Sequence, residues 1–119
     1  MTFEDLDSWQ KARCLVRATY RLTRAEGVCR DFGICGQAQR AAVSIMSNIA
    51  EGFERQHLGE KIQSYNIARG SSGELRSLLY VIEDNFPISA PEAIALRGEA
   101  VLVGKLITGL LRSTEERRV

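Results

Sequence analysis

The stretch from Gln37 to Gln56 constrains the fold most strongly, because its apolar side chains recur at the spacing of an α-helix. These apolar residues, three or four positions apart, are Ala38, Ala41, Ile45, Ile49 and Phe53. The small and polar residues beside them are Ala42, Ser44, Ser47, Asn48, Glu51 and Gly52. Small side chains let a neighbouring helix approach closely, and a buried Ser or Asn without a hydrogen-bond partner costs about 1–3 kcal/mol. The pattern predicts the central helix of a helical bundle.

Helical periodicity extends over nearly the whole chain. We predict four helices, over about residues 8–25, 32–55, 60–85 and 91–113. The clearest break lies between Pro87 and Pro91, because proline ends one helix and is well tolerated in the first turn of the next. Four helices with short connections predict an all-α protein, with residues 1–119 forming a single domain that is an antiparallel up-down-up-down four-helix bundle.

Glycines interrupt the third and fourth predicted helices. Gly70 and Gly73 each cost about 1 kcal/mol relative to alanine in a helix interior, so a four-residue loop at this point is an alternative. The apolar periodicity resumes in phase at Leu75, which favours a continuous helix. We therefore expect these glycines, and the three in the fourth helix, to mark close contacts with neighbouring helices.

Composition excludes several classes of protein. The 119 residues are 45% hydrophobic and 26% charged, which is typical of a globular domain. A net charge of +1 gives no overall attraction to nucleic acid or membrane, so a partner must recognise a local charge pattern. The first ten residues contain acidic side chains and no apolar run, and no stretch approaches the roughly 18 apolar residues of a membrane span. We expect a cytoplasmic protein with no membrane partner.

No motif for catalysis or metal binding is visible. Three cysteines and one histidine, His57, form neither a CxxC pair nor a zinc-ligand pattern, and we interpret the cysteines as reduced residues packed like small hydrophobes. The run Gly70-Ser71-Ser72-Gly73 lacks the lysine and the preceding strand of a phosphate-binding loop. No Cys/His or Ser/His pairing suggests a nucleophile. The sequence predicts a non-enzymatic protein without a cofactor.

Polar residues of the second and third helices are candidates for a structural network. We expect them to meet between these helices, where paired polar side chains fix the helix register. The residues are Ser44, Asn48, Glu51, Ser71 and Glu74.

The first helix carries the most unusual charge pattern. Its basic residues are Lys11, Arg13, Arg17, Arg21 and Arg24, and no acidic residue occurs between Ser8 and Ala25. The four arginines step by four, four and three, which aligns them on one helix face, and such like charges repel by a few tenths of a kcal/mol per pair. Three interpretations remain open: a solvated face, an ion-paired contact with another subunit, or a phosphate-binding surface.

Three segments resemble a known family. They are FEDLDSWQKA (Phe3 to Ala12), RAAVSIMSNIAEGFER (Arg40 to Arg55) and IARGSSGEL (Ile67 to Leu75), with a looser match at KLITGLL (Lys105 to Leu111). They closely resemble the four-helix bundle proteins encoded within 23S rRNA intervening sequences. This chain departs from the family pattern at Met46, where proline is typical, and at Gln39, where a second arginine is typical.

The resemblance implies a small cytosolic bacterial protein whose bundles assemble into a homo-oligomeric ring of five. The family is also similar to the accessory proteins of diversity-generating retroelements, which are basic bundle rings that engage a reverse transcriptase and nucleic acid. Two hypotheses follow. In the first, the protein is a ring-forming scaffold that binds RNA or DNA through the first-helix arginines. In the second, it is a structural or protein-partner module whose arginines pair with acidic residues of a neighbour.

Overall fold

The computed structural model describes residues 1–117 and places four long α-helices in them. These are α1 (Asp7–Thr23), α2 (Phe32–Glu54), α3 (Leu58–Asn85) and α4 (Ala90–Glu116). Short 3-10 helices cover Phe3–Asp5, Val28–Arg30 and Pro87–Ser89, and residues 1–117 contain no β-strand. The four predicted helices are confirmed, with α4 extending beyond its expected end at residue 113.

Local chemistry explains where the helices begin and end. The first helix ends at Thr23, before the expected residue 25, and Gly27 turns the chain with a φ of 92°, which non-glycine residues rarely adopt. The Asp31 carboxylate then caps α2 by accepting a hydrogen bond from the Ile34 backbone N–H at 3.1 Å. The third helix is continuous through Gly70 and Gly73, as the resumed periodicity at Leu75 predicts.

One apolar core holds the four helices together. Consecutive helices pack against each other, and α1 also contacts α4. Each helix contributes fully buried side chains, among them Leu15, Leu22, Ile45, Ile49, Leu75, Leu79, Ile82 and Ile107. The apolar stripe of α2 is buried as predicted, except that Phe53 is only partly buried. No helix within residues 1–117 combines the length and the apolar character needed to cross a bilayer.

The expectation that the glycines of α3 and α4 mark close contacts is wrong for most of them. A Cβ atom added at Gly70, Gly73, Gly98 or Gly109 would find no heavy atom of a neighbour within 4 Å. Gly104 alone of the five meets a neighbour, with its added Cβ 3.4 Å from Ser72 Oγ. The closest approach is at Gly52 of α2, where an added Cβ would lie 2.4 Å from Cε1 of Tyr65. Tyr65 is buried against this glycine and fills the space that a side chain would need.

Candidate functional site

The four arginines of α1 form a basic ridge, defined here as Arg13, Arg17, Arg21 and Arg24. The opposite face of α1 is buried in the core through Ala12, Leu15, Thr19 and Leu22, so all four arginines are exposed to solvent. At 1.5 Å per residue, the eleven steps from the first to the last arginine cover about 16 Å. The ridge is therefore a straight row of positive charge on the outside of the bundle.

No arginine of the basic ridge forms an ion pair with another group of residues 1–117. The ion pairs found there join Arg55 to Glu51 and Glu60, and Arg97 to Glu83. Two ridge arginines instead lie over aromatic rings four residues earlier. The Arg13 guanidinium carbon is 5.8 Å from the Trp9 ring centroid, and that of Arg24 is 5.9 Å from the Tyr20 centroid. Such contacts orient a guanidinium but leave its N–H groups free for a phosphate or carboxylate.

Lys11, the fifth basic residue of the first helix, lies away from the basic ridge. It lines a groove between α1 and α4 together with Cys14, Glu99, Leu102 and Leu106. The reason is angular: Lys11 lies two residues before Arg13, which is about 200° around the helix. Sequence spacing places the four arginines together but separates the lysine from them.

On its other flank, α1 forms a shallow groove with α2. Tyr20, Gly36, Gln39, Arg40 and Val43 line this groove. The exposed Arg40 adds one cation beside the ridge. Gln39, which stands where the family typically has arginine, donates a hydrogen bond from Nε2 to Thr23 Oγ1 at 3.0 Å. Its role in this chain is a contact between α1 and α2.

Three of the five residues expected in the polar network meet between α2 and α3. The Ser44 and Ser71 hydroxyls share a hydrogen bond of 2.8 Å, and Asn48 Nδ2 donates to the Ser44 carbonyl at 2.9 Å and to its hydroxyl at 3.2 Å. Glu51 and Glu74 do not take part. Glu51 is exposed and lies 3.8 Å from Arg55 one turn later, and Glu74 is exposed. Carboxylates are too costly to desolvate between these helices without a cationic partner.

A second group of basic residues escaped the sequence analysis. It lines the α3–α4 groove, which consists of Arg69, Ser72, Gly73 and Arg76 from α3 and Val101, Gly104, Lys105, Thr108, Gly109 and Arg112 from α4. One signal of this group is present in the sequence. The two cations of each helix, Arg69 and Arg76 or Lys105 and Arg112, are seven residues apart, which is about two turns and places them on one helix face. Only the packing of α3 on α4 brings the two pairs together.

The groups with shifted pKa values lie away from both basic surfaces. Burial raises the pKa of the Cys35 thiol, and Asp31 raises it further. The Cys35 Sγ atom donates to the carbonyls of Val28 and Thr23, at 3.2 and 3.5 Å. Of the three cysteines, Cys35 alone is packed as expected, because Cys14 and Cys29 are exposed. The raised pKa and the two hydrogen bonds keep the Cys35 thiol protonated within the core.

A lysine caps the end of α2. Lys61 Nζ donates to the Gly52 and Phe53 carbonyls at 3.2 and 2.7 Å, and burial lowers its pKa. It satisfies carbonyl groups that the last turn of a helix leaves without partners.

Comparison with known proteins identifies the family of this chain. No curated protein matches the sequence. The family model described as 23S rRNA-intervening sequence protein matches residues 4–109, which include α1, α2, α3 and most of α4. The match includes the segment from Arg40 to Arg55 and the basic ridge. The chain belongs to the 23S rRNA-intervening sequence protein family.

Proposed function

We propose that this protein is a non-enzymatic, cytoplasmic scaffold that assembles with copies of itself and binds the phosphate backbone of RNA or DNA through the basic ridge. In this proposal the four helices alternate in direction. The short connections support that arrangement, because only residues 55–57 separate α2 from α3 and only residues 86–89 separate α3 from α4.

The observation that carries the proposal is the row of four unpaired arginines on the outer face of α1. Guanidinium groups form strong, charge-assisted hydrogen bonds with phosphate oxygens, and each neutralised phosphate releases condensed counterions. The aromatic residues nearest the ridge do not offer free faces for bases, because Trp9 is buried in the core and Tyr20 is partly buried. We therefore expect contacts to the backbone with little sequence selectivity.

Self-assembly has separate support from the outer face of α4. Leu102 and Ile94 are 59% and 47% exposed on this helix, and Leu106 is also exposed. Gly98 lies between Ile94 and Leu102, with open space where a side chain would project. An exposed apolar surface next to small residues is typical of protein–protein contacts. The ring of five bundles that the family resemblance implies would cover such a surface.

The test is a binding titration with a structured RNA and a duplex DNA at two salt concentrations. We expect binding at low salt that weakens as salt rises. For duplex DNA, log K should fall by about 0.9 per tenfold rise in salt for each neutralised phosphate. Replacing Arg13, Arg17, Arg21 and Arg24 by alanine should abolish most of this binding. Absence of affinity at low salt, or unchanged affinity of the four-arginine variant, would exclude the nucleic-acid function.

The matched control compares two double variants of equal net charge. Arg17→Ala/Arg21→Ala removes half of the ridge, whereas Arg30→Ala/Arg55→Ala removes two exposed arginines elsewhere. The ridge variant should bind duplex DNA more weakly than the control variant, because it loses local phosphate contacts in addition to the two charges that both variants lose. Equal losses would attribute the effect to net charge alone.

A second candidate function is a protein-partner or purely structural module without nucleic-acid binding. It is favoured by the same lack of intramolecular partners, because four adjacent cations are also suited to acidic side chains of a neighbouring subunit. In that case the four-arginine variant would change the molar mass in solution, measured by light scattering. In the nucleic-acid proposal the oligomer keeps its mass.

A further inference from the structure

The α3–α4 groove has basic walls and a floor of small residues. Arg69 and Arg76 project from α3, and Lys105 and Arg112 project from α4, around a space of about 530 Å³. Added Cβ atoms at Gly73 and Gly109 would meet no neighbour within 4 Å, so the groove is open along the helix backbones. Lys105 lies at the edge of α4 and also lines the α1–α4 groove.

Two contacts define how the walls align. Ser72 Oγ donates to the Ala100 carbonyl at 3.0 Å, and the Arg97 guanidinium donates to the Glu83 carboxylate further along the same interface. Within each helix the two cations are seven residues apart, which is about 10 Å at 1.5 Å per residue. Because α3 packs against α4, the two pairs of cations line the two walls of one groove.

None of these four cations has a charged partner within residues 1–117. They are absent from the ion pairs of Arg55 and Arg97, and no acidic residue lines the groove. The floor hydroxyls donate inward, Ser72 to the Ala100 carbonyl and Thr108 to the Gly104 carbonyl at 3.0 Å. The free donors along the groove are therefore the guanidinium and ammonium N–H groups, which attract an anion.

We propose that the α3–α4 groove binds the sugar–phosphate backbone of a single nucleic-acid strand. Two unpaired cations on each wall of one groove are complementary to a polyanion lying between them, and positively charged grooves track the backbone in single-strand-binding proteins. The groove lies between two packed helices, whose axes are typically about 8–10 Å apart, and this interval suits one strand better than the wider duplex. The open glycine floor lets the strand approach the helix backbones. The inference rests on the proposed function for the class of ligand, but it concerns residues on other helices.

The experiment measures fluorescence anisotropy of a labelled oligothymidylate of twelve nucleotides, titrated with the intact protein over a range of salt concentrations. Four contacts to a single strand predict a slope of log K against log salt of about −3. Arg69→Ala/Arg76→Ala should weaken binding at low salt about tenfold or more and reduce the slope by about 1.4. Arg69→Lys/Arg76→Lys keeps the charges and should retain most of the affinity.

The two double variants of the previous subsection separate this site from the basic ridge. Arg30→Ala/Arg55→Ala should retain more single-strand affinity than the groove variant, and Arg17→Ala/Arg21→Ala should lose duplex affinity while it keeps single-strand binding. Loss of single-strand binding in the groove variant with unchanged duplex binding in the ridge variant would support the groove and refute the ridge. The opposite pattern refutes the groove.

Competition with polyglutamate tests the chemistry of the ligand. The groove proposal predicts that inorganic polyphosphate displaces the oligothymidylate at far lower charge concentration than polyglutamate does. Equal displacement by polyglutamate would overturn the assignment to a phosphate backbone and indicate an acidic protein segment. No binding of the oligothymidylate by the unmodified protein at low salt would also overturn it, even if duplex DNA binds.

Discussion

Along α3, the side that packs on α2 is closed, whereas the side that packs on α4 is open over part of its length. At the α2–α3 interface the Tyr65 ring fills the space beside Gly52, and Ser44 is paired with Ser71. At the α3–α4 interface Gly73 and Gly109 face open space, and the basic side chains beside them have no acidic partner within residues 1–117. Glycine therefore permits close packing at the α2–α3 interface and leaves an open groove at the α3–α4 interface.

The difference shows what offsets the cost of glycine in a helix. Each glycine costs about 1 kcal/mol relative to alanine in a helix interior. At Gly52 this cost is offset by the contact of a buried aromatic ring with the helix backbone. At Gly73 and Gly109 no side chain of residues 1–117 makes a comparable contact. Packing therefore does not offset the cost of Gly73 and Gly109, whereas a ligand bound in the α3–α4 groove would use the space that they leave.

The largest change in the free energy of unfolding is expected from Gly52→Ala at the closed α2–α3 interface. The new Cβ would lie 2.4 Å from Tyr65 Cε1, so the buried ring must move and disturb the core. Overpacking of this kind destabilises by about 1–3 kcal/mol, despite the better helix propensity of alanine. Urea unfolding followed by circular dichroism measures the change in the free energy of unfolding.

Gly109→Ala is the matched control at the open interface. Because its Cβ meets no neighbour within 4 Å, the substitution should stabilise the protein by about 0.5–1 kcal/mol. A destabilising Gly109→Ala, or a neutral Gly52→Ala, would contradict the distinction between a closed and an open interface.

A smaller effect is expected from the hydrogen bond between Ser44 and Ser71. Each single alanine substitution breaks the hydrogen bond between the two hydroxyls and leaves the remaining hydroxyl without that partner. The double substitution removes both hydroxyls, so the two changes should not add. We expect a coupling energy of about 1 kcal/mol from a double-mutant cycle of unfolding free energies. Ser47→Ala, at an exposed position of α2, serves as the control and should show no coupling with Ser71→Ala. Strict additivity at Ser44 and Ser71 would mean that this contact does not fix the helix register.

The smallest effect concerns pH. Burial raises the pKa of the Tyr65 hydroxyl above its ordinary value of 10.0, and Arg117 offsets this in part. In the unfolded chain Tyr65 loses its proton at lower pH than in the folded protein. Stability should therefore be retained below pH 10.0 and fall as pH rises through the folded pKa. The measurement compares the unfolding free energies of the protein and of Tyr65→Phe from pH 8 to pH 11. The loss of stability above pH 10.0 should be smaller in Tyr65→Phe, which has no phenol proton to lose. An identical pH dependence in both proteins would exclude Tyr65 as the cause.

The helices and the buried stripe of α2 could be predicted because they depend on information local to the chain. Apolar residues at steps of three and four locate a helix and its buried face, and Pro87 and Pro91 mark the break between α3 and α4. The continuity of α3 through Gly70 and Gly73 followed from the phase of the apolar residues on either side. The alignment of the four ridge arginines is equally local, since helix geometry alone places them on one face.

Contacts between different helices could not be predicted from local sequence patterns. Glu51 and Glu74 share the helices of the polar network, but they lie on exposed faces. Gly73 and Gly109 were expected to contact a neighbour as Gly52 does, but they meet none within 4 Å. Arg69 and Arg112 are 43 positions apart and line one groove. The sequence determined where the helices lie and which faces are apolar, because both depend on neighbours within one or two turns. Only the tertiary structure decided which faces meet, because that depends on the rotation and register of whole helices packed around a common core.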